Sequence, residues 1–280
     1  MPKISVIGIC GNSVFMSVDS FHQSGETVVA KDCFEEIGGK GINQAVAAAR
    51  MGAELSFLAA IGDDADGEKC RLAARQDGID AHFAVSSGKR TTFAFILTDK
   101  SGDNRVTEYV GAELKAEDVL SFEDQIAQSD ILLLQQEVPC EVNEAAVAIA
   151  EKYGVKVILN PAPIRPIPAS VAEKVYLVTP NEHEFEGIKH LTFKNCVTTL
   201  GSDGCSINGT DFVKALDVKA VDTTGAGDTF NGVLAVCLAE GMDMKTACRY
   251  AVAASGISVT RHGVLASIPM RDEIERIVKQ

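Results

Sequence analysis

Six short apolar runs, at residues 4–9, 55–61, 131–134, 155–159, 175–178 and 196–200, are nearly continuous instead of alternating with polar positions. A strand with one wet face alternates, so unbroken runs of this length predict strands buried on both faces, as in a parallel sheet covered by helices on each side. Helical patterns at 41–51, 66–77, 141–153, 225–240 and 243–259 supply those covers. The order predicts a three-layer α/β/α fold with a mostly parallel, doubly wound central sheet. At 280 residues and 46% hydrophobic content the chain has material for one large core, and it reads as a single domain over 1–280.

Two segments break this rhythm, at about 13–31 and 91–111. The second is an expected hairpin whose turn, 100–104, is rich in turn formers. Far apart in sequence, the two are expected to build a small separate β-sheet able to act as a lid over a cleft. Asn208-Gly209 marks a further hairpin, and the prolines from 161 to 168 a rigid loop.

A net charge of −13 disfavours a nucleic-acid partner, which needs clustered Lys and Arg. Eight cysteines without a C-x-x-C pair or zinc-type His spacing read as buried thiols in a reducing compartment. No apolar run reaches the length of a membrane span, so neither a signal peptide nor a membrane partner is expected, and the location expected is cytoplasmic.

The stretch 221–230, Val-Asp-Thr-Thr-Gly-Ala-Gly-Asp-Thr-Phe, places Gly225 and Gly227 at the start of a helix. Without side chains they let an oxyanion reach the backbone N–H groups and the positive end of the helix dipole. Asp228 is a poor phosphate ligand there but a plausible general base toward a hydroxyl aimed at a phosphoryl group. An ordinary helix start, with Thr224 as cap, explains the same ten residues equally well. A second glycine loop, Gly38-Gly39-Lys40-Gly41, opens onto an alanine-rich helix, with the Asn43 amide placed to meet a hydroxylated ligand. It lacks the Walker A pattern, which argues against a P-loop kinase. Gly8-Ile-Cys-Gly11 does not complete G-x-G-x-x-G, which leaves a nicotinamide-dependent oxidoreductase a weak alternative.

Three weaker signals lie at strand ends. Asn181 and Glu184, at i and i+3, suit Mg²⁺ through its waters, or form a capping box. Thr199, Gly201 and Gly204 form a loop able to accept a nucleotide, or a plain hairpin turn. Glu137, in Gln135-Gln136-Glu137-Val138-Pro139, could hold two sugar hydroxyls, or serve as a helix-start acid.

Taken in order, these motifs resemble the ribokinase, or phosphofructokinase-B, family of carbohydrate kinases over nearly the whole chain. The resemblance implies an α/β domain with a β-sheet lid, ATP and Mg²⁺ as cosubstrates, and transfer of the γ-phosphoryl group to a sugar hydroxyl. Asp228 would be the base, and the N–H groups of Gly225, Ala226 and Gly227 the anion hole. Ser13, Gly39, Asn43 and Glu137 would stand with Asp228 at the sugar, and Asn181, Glu184, Thr199, Gly201 and Gly204 at the nucleotide. A monovalent-cation site for K⁺ is implied at Asp222, Thr224, Ser258, Gly263 and Ser267. Family lids often pair, which implies a homodimer through the lid.

Members that phosphorylate ribose carry Gly-Ser-x-Asn-x-Asp after the first strand, and here Gly11 and Ser13 stand at the Asn and Asp positions. Losing the acid would leave sugar hydroxyls unpaired unless Asn12 compensates. Other sugars, sugar phosphates and nucleosides therefore stay open as acceptors. A non-catalytic sugar-binding sensor on the same fold is the reading from a different class.

Overall fold

The computed structural model describes residues 1–101 and 103–279. Thirteen strands are present among them: β1 (Lys3–Ile7), β2 (Gly11–Ser17), β3 (Asp32–Gly38), β4 (Glu54–Gly62), β5 (Asp80–Ser86), β6 (Phe93–Thr98), β7 (Asn104–Tyr109), β8 (Ile131–Leu134), β9 (Lys156–Leu159), β10 (Leu177–Val178), β11 (Val197–Thr199), β12 (Cys205–Ile207) and β13 (Asp211–Val213). The helices are α1 (Lys40–Arg50), α2 (Ala65–Gln76), α3 (Ala116–Ser121), α4 (Glu123–Ala127), α5 (Cys140–Tyr153), α6 (Ala169–Ala172), α7 (Glu182–Ile188), α8 (Ala226–Ala239), α9 (Met244–Ser258) and α10 (Arg271–Val278).

The central sheet has six parallel strands in the order β10-β9-β8-β1-β4-β5. Its continuous apolar runs divide between two cores, as the pleat requires. Ile4, Val6, Ile131 and Leu133 join the core beneath α1, α8 and α9, while Ile7, Leu132 and Leu134 join the core beneath α3 and α5. Strand β5 escapes the apolar-run signal because it is the sheet's edge, half exposed along its length. A three-stranded antiparallel sheet, β11-β12-β13, adjoins β10 through a bridge from Val178 to Cys196. Its β12–β13 turn is the expected Asn208-Gly209, both at positive φ (51° and 70°).

The second, four-stranded sheet has the order β3-β2-β6-β7. It corrects the expected boundaries: residues 18–31 hold no strand, and β3 at Asp32–Gly38 takes the outer place. Val28 and Val29, inside that span, are exposed, whereas β3, with two glutamates and an aspartate, is recruited by backbone pairing with β2. The β6–β7 hairpin forms as expected, although Gly102 of its turn lies outside the described residues.

All eight cysteines are free, and five are buried. Cys33, on edge strand β3, and Cys140, at the first turn of α5, are exposed, which corrects the uniform expectation of burial. No helix among the described residues is long and apolar enough to cross a membrane.

Candidate active site

The site is built where α8 begins. Its N-cap, Gly225, is left-handed (φ 74°, ψ 2°) and lies against Val264: a β-carbon there would come within 2.6 Å of Cγ1. Both facts require glycine. A β-carbon on Gly227, by contrast, would meet nothing within 4 Å, so the first turn of a 14-residue helix is open to a ligand.

Asp228 follows, only 6% exposed. Asn43 Nδ2 donates to its Oδ2 and Gln44 Nε2 to its Oδ1, both at 2.9 Å. A buried carboxylate is costly unless paired and hydrogen bonded, and two amides with a nearby ammonium meet that need. The charge of Asp228 is the main reason the Lys40 ammonium is held above its ordinary pKa, with Glu137 and Glu184 adding to it. Gln44 is fixed in turn: its Oε1 accepts from Gln135 Nε2 at 2.7 Å, and its Nε2 also reaches Asn160 Oδ1 at 3.2 Å. Asn231 Nδ2 donates to the Gly227 carbonyl at 2.8 Å and anchors the helix start from below.

Toward the second sheet, Glu137 follows β8, and its Oε2 accepts from the Lys40 backbone N–H at 2.8 Å. Loss of water around the Glu137 carboxyl pushes its pKa up to about 7, against the opposing pull of Lys40. Lys40 and Glu137 line a cavity of about 180 Å³, walled by Ile9, Val110 and Val138. Gly39 is the N-cap of α1, and a β-carbon on the adjoining Gly38 would lie 3.6 Å from Ser13 Oγ and 4.0 Å from Asn43 Oδ1. That Asn43 oxygen is buried without a partner. Asn12 is on the opposite face of β2, where its amide donates to Glu35 (3.1 Å) and Asp66 (3.0 Å), so it does not replace a missing sugar ligand.

On the other side of α8, Thr199, Gly201, Gly204, Ala226 and Gly227 line a cavity of about 370 Å³ whose far wall is Val252 and Gly256. Gly201 leaves open space, but a β-carbon on Gly204 would strike the Val213 carbonyl at 2.0 Å, so Gly204 is set by packing against the β13 backbone. Asn181 and Glu184 form a reciprocal capping box: Asn181 Oδ1 accepts from the Glu184 N–H at 2.7 Å and Glu184 Oε2 from the Asn181 N–H at 2.8 Å. A bridge between Asn181 and Thr199 sets this helix start beside the larger cavity.

Of the five residues of the implied cation site, Asp222, Thr224 and Gly263 are linked by hydrogen bonds, and Gly263 and Ser267 share the 263–267 loop. Asp222 Oδ1 accepts from the Thr224 N–H at 2.9 Å and Oδ2 from the Gly263 N–H at 3.4 Å. Ser258 and Ser267 are buried, with hydroxyls donating to the Ser255 and Val264 carbonyls. Lone pairs remain on both, and carboxylate and hydroxyl oxygens suit a hard cation.

Sequence reasoning gave no role to Lys40, Gln44, Gln135 or Asn160. One signal was available: Gln44 stands directly before the apolar run 45–49 of an alanine-rich helix, and in the structure it is fully buried.

The sequence profile of the pfkB family carbohydrate kinases matches residues 1–271. The chain is 37% identical to a ribokinase of Haemophilus influenzae, over 96% of each chain, and 33% identical to a ribokinase of Bacillus subtilis, over 99% of this chain and 100% of the relative. Its fold superposes on the crystal structure of a Thermotoga maritima ribokinase with a TM-score of 0.91 at 34% identity, covering 100% of both chains. It superposes on Arabidopsis thaliana ribokinase complexed with ribose and ATP with a TM-score of 0.85 at 28% identity, covering 100% of this chain and 99% of that one. The chain belongs to the pfkB family of carbohydrate kinases. Within that family it is a ribokinase-like sugar kinase.

Proposed function

We propose that this kinase transfers the γ-phosphoryl group of ATP to a sugar hydroxyl, with Asp228 as general base. The observation that carries the reading is a buried carboxylate, clamped by Asn43 and Gln44, third in a helix whose first two residues line one cavity and near Lys40, which lines the other. The nucleotide would lie along Thr199, Gly201 and Gly204. The N–H groups of Gly225, Ala226 and Gly227 would hold the transferring phosphoryl. The sugar would meet Ser13, Gly39, Asn43 and Glu137, and the unpartnered Asn43 oxygen supplies an acceptor for one of its hydroxyls. As a second sugar hydroxyl, the one aimed at Asp228, bonds through its oxygen to phosphorus, the bond to the ADP oxygen breaks and the proton of that hydroxyl passes to Asp228. Mg²⁺, when bound, supplies charge neutralisation on the phosphates. Glu184, whose Oε2 is the oxygen engaged in the capping box, would hold one of the ion's waters through Oε1. K⁺ at Asp222, Thr224, Ser258, Gly263 and Ser267 would offset negative charge gathered at the anion hole.

Ribose, the acceptor named for the relatives, is the first sugar to test, although Ser13 and the averted Asn12 offer it no carboxylate. A coupled ADP-release assay with ATP, Mg²⁺ and K⁺ against pentoses, hexoses, sugar phosphates and nucleosides tests the reading. Turnover of one class identifies the acceptor; silence across the panel, with a sugar still raising Tm, returns the sensor.

Glu137 predicts the pH dependence of that assay. Sugar hydroxyls donate to the carboxylate, so below pH 7 binding must first release a proton. Sugar KM is expected to fall about tenfold from pH 6 to pH 8. The stability sign is opposite: a folded-state pKa raised from 4.5 to about 7 gives stability present below 4.5 and lost as pH rises through 7. In Glu137→Gln both slopes flatten. A KM that does not change with pH would remove Glu137 from the sugar site.

We also read the second sheet as a lid that pairs with a second copy. Phe15, Phe34, Ile96 and Val106 stand opposite one another across its four strands, on the face that also carries Ser13 and Glu108. Phe34 and Val106 are exposed, and Phe15 stacks on Phe34 at 4.7 Å. An apolar stripe of this kind favours a covered state. Sedimentation is expected to give a dimer, and Val106→Asp a monomer; a wild-type monomer at micromolar concentration would refute the pairing.

A further inference from the structure

Glu36 lies on β3 opposite Ser13, yet its carboxylate makes no ion pair among the described residues. It accepts instead from backbone N–H groups across the molecule: Val264 at 2.8 and 2.9 Å, Leu265 at 2.8 Å and Ala266 at 3.4 Å. Such N–H groups form an anion-binding nest, entered through Gly263 at φ 82°. A β-carbon on Gly263 would come within 3.2 Å of the Glu36 carboxylate.

The other side of the same loop faces α8. Val264, whose N–H is held by Glu36, is the residue that packs against the N-cap Gly225. The peptide unit that presents the Val264 N–H to Glu36 also carries the Gly263 carbonyl, so the carboxylate fixes and polarises that carbonyl too. Ser267 closes the loop through its hydroxyl to the Val264 carbonyl at 2.8 Å. One carboxylate of the second sheet thus holds the segment that walls the first turn of α8.

We infer that Glu36 is a positioning residue: it ties the sugar-side sheet to the 263–267 loop and thereby aligns the N–H groups of Gly225 to Gly227. The inference rests on the reading of that helix start as the phosphoryl site. It differs from a purely structural role in what it predicts for turnover.

The test compares Glu36→Ala and Glu36→Gln with Glu35→Ala. Glu35 is on the same strand but the opposite face, where it pairs with Lys69, so it controls for general loosening of β3. Glu36→Ala is expected to lower kcat at least tenfold, with Glu36→Gln, which keeps one acceptor oxygen, in between. Sugar KM should stay within about threefold, because Glu36 does not line the cavity beside Glu137. Glu35→Ala should keep kcat within about twofold of wild type. Equal kcat in wild type and Glu36→Gln, with Tm lowered alike in both Glu36 variants, would overturn the inference. If Glu36→Ala fails to fold, Glu36→Gln against Glu35→Ala decides the matter alone. A wild-type enzyme that turns over no sugar would instead overturn the phosphoryl-site reading beneath it.

Discussion

Asp228→Asn is expected to lower kcat about 10²- to 10⁴-fold, the range in which positioned general bases act. The substitution keeps the volume of the side chain and removes its capacity to take a proton. It also changes the hydrogen-bond arithmetic. Both carboxylate oxygens accept from amide N–H groups, Asn43 on one side and Gln44 on the other. An asparagine can satisfy one and must turn its own NH₂ toward the other. Gln44 cannot flip in response without losing the donor from Gln135. Asn43 can: its Oδ1 has no partner, so a flipped Asn43 amide accepts from the new NH₂ and Tm should stay close to that of wild type while the rate is lost. ADP affinity should stay nearly constant, since Asp228 does not line the cavity proposed for the nucleotide. Measurement of kcat, Tm and the ADP Kd on one preparation separates these effects. Turnover within about fivefold of wild type would refute the base assignment.

The second large effect is expected at Gly232, one turn further along α8. A β-carbon there would lie 2.5 Å from the Gln44 carbonyl oxygen, 2.6 Å from Ala47 Cβ and 2.9 Å from the Ala48 nitrogen. Two of these three atoms are backbone, so relief requires α1 and α8 to move apart. Helix propensity alone favours Gly232→Ala by about 1 kcal/mol, and overpacking opposes it by about 1–3 kcal/mol. Because the obstruction is backbone, overpacking should win: Gly232→Ala is expected to destabilise by about 1–2 kcal/mol and Gly232→Leu by about 3 kcal/mol or more. Activity should fall with stability, since separating the helices withdraws Asn43 and Gln44 from Asp228. Urea midpoints together with kcat check this. A more stable Gly232→Ala would mean that the helices are not in tight contact.

The central layer could be read from the sequence because its physics is one-dimensional. Strands buried on both faces are apolar along nearly their whole length, as β8 is throughout and β1 and β4 are apart from a serine each and a charged first residue, whereas β5 at the sheet edge and the polar β3 carry no such mark. β3 is held by its pairing with β2 and by Glu36 reaching the 264–266 backbone, neither of which leaves a local pattern. The site divides in the same way. Gly225, Gly227 and Asp228 stand out in the sequence because the turn at Gly225 and the chemistry proposed for an oxyanion fall in one short stretch. Gln44 against Asp228 is a contact across 184 positions, made by a helix crossing that no motif encodes. The glycines also show what spacing leaves undecided: Gly227 opens space for a ligand, while Gly204 only avoids a collision with β13.

That crossing of α1 on α8 also has a bearing on synthesis. The inner face of α1, with Ile42, Ala45, Val46, Asn43 and Gln44, has α8 as a main cover, and α8 begins at Ala226. At roughly 5–20 residues per second, a ribosome takes on the order of 10–40 s between the two helices. Throughout that interval the nascent chain holds an apolar helix and two amides whose acid has not yet been made. The enzyme is therefore assembled late, and its N-terminal half is the part that a cellular chaperone would find uncovered.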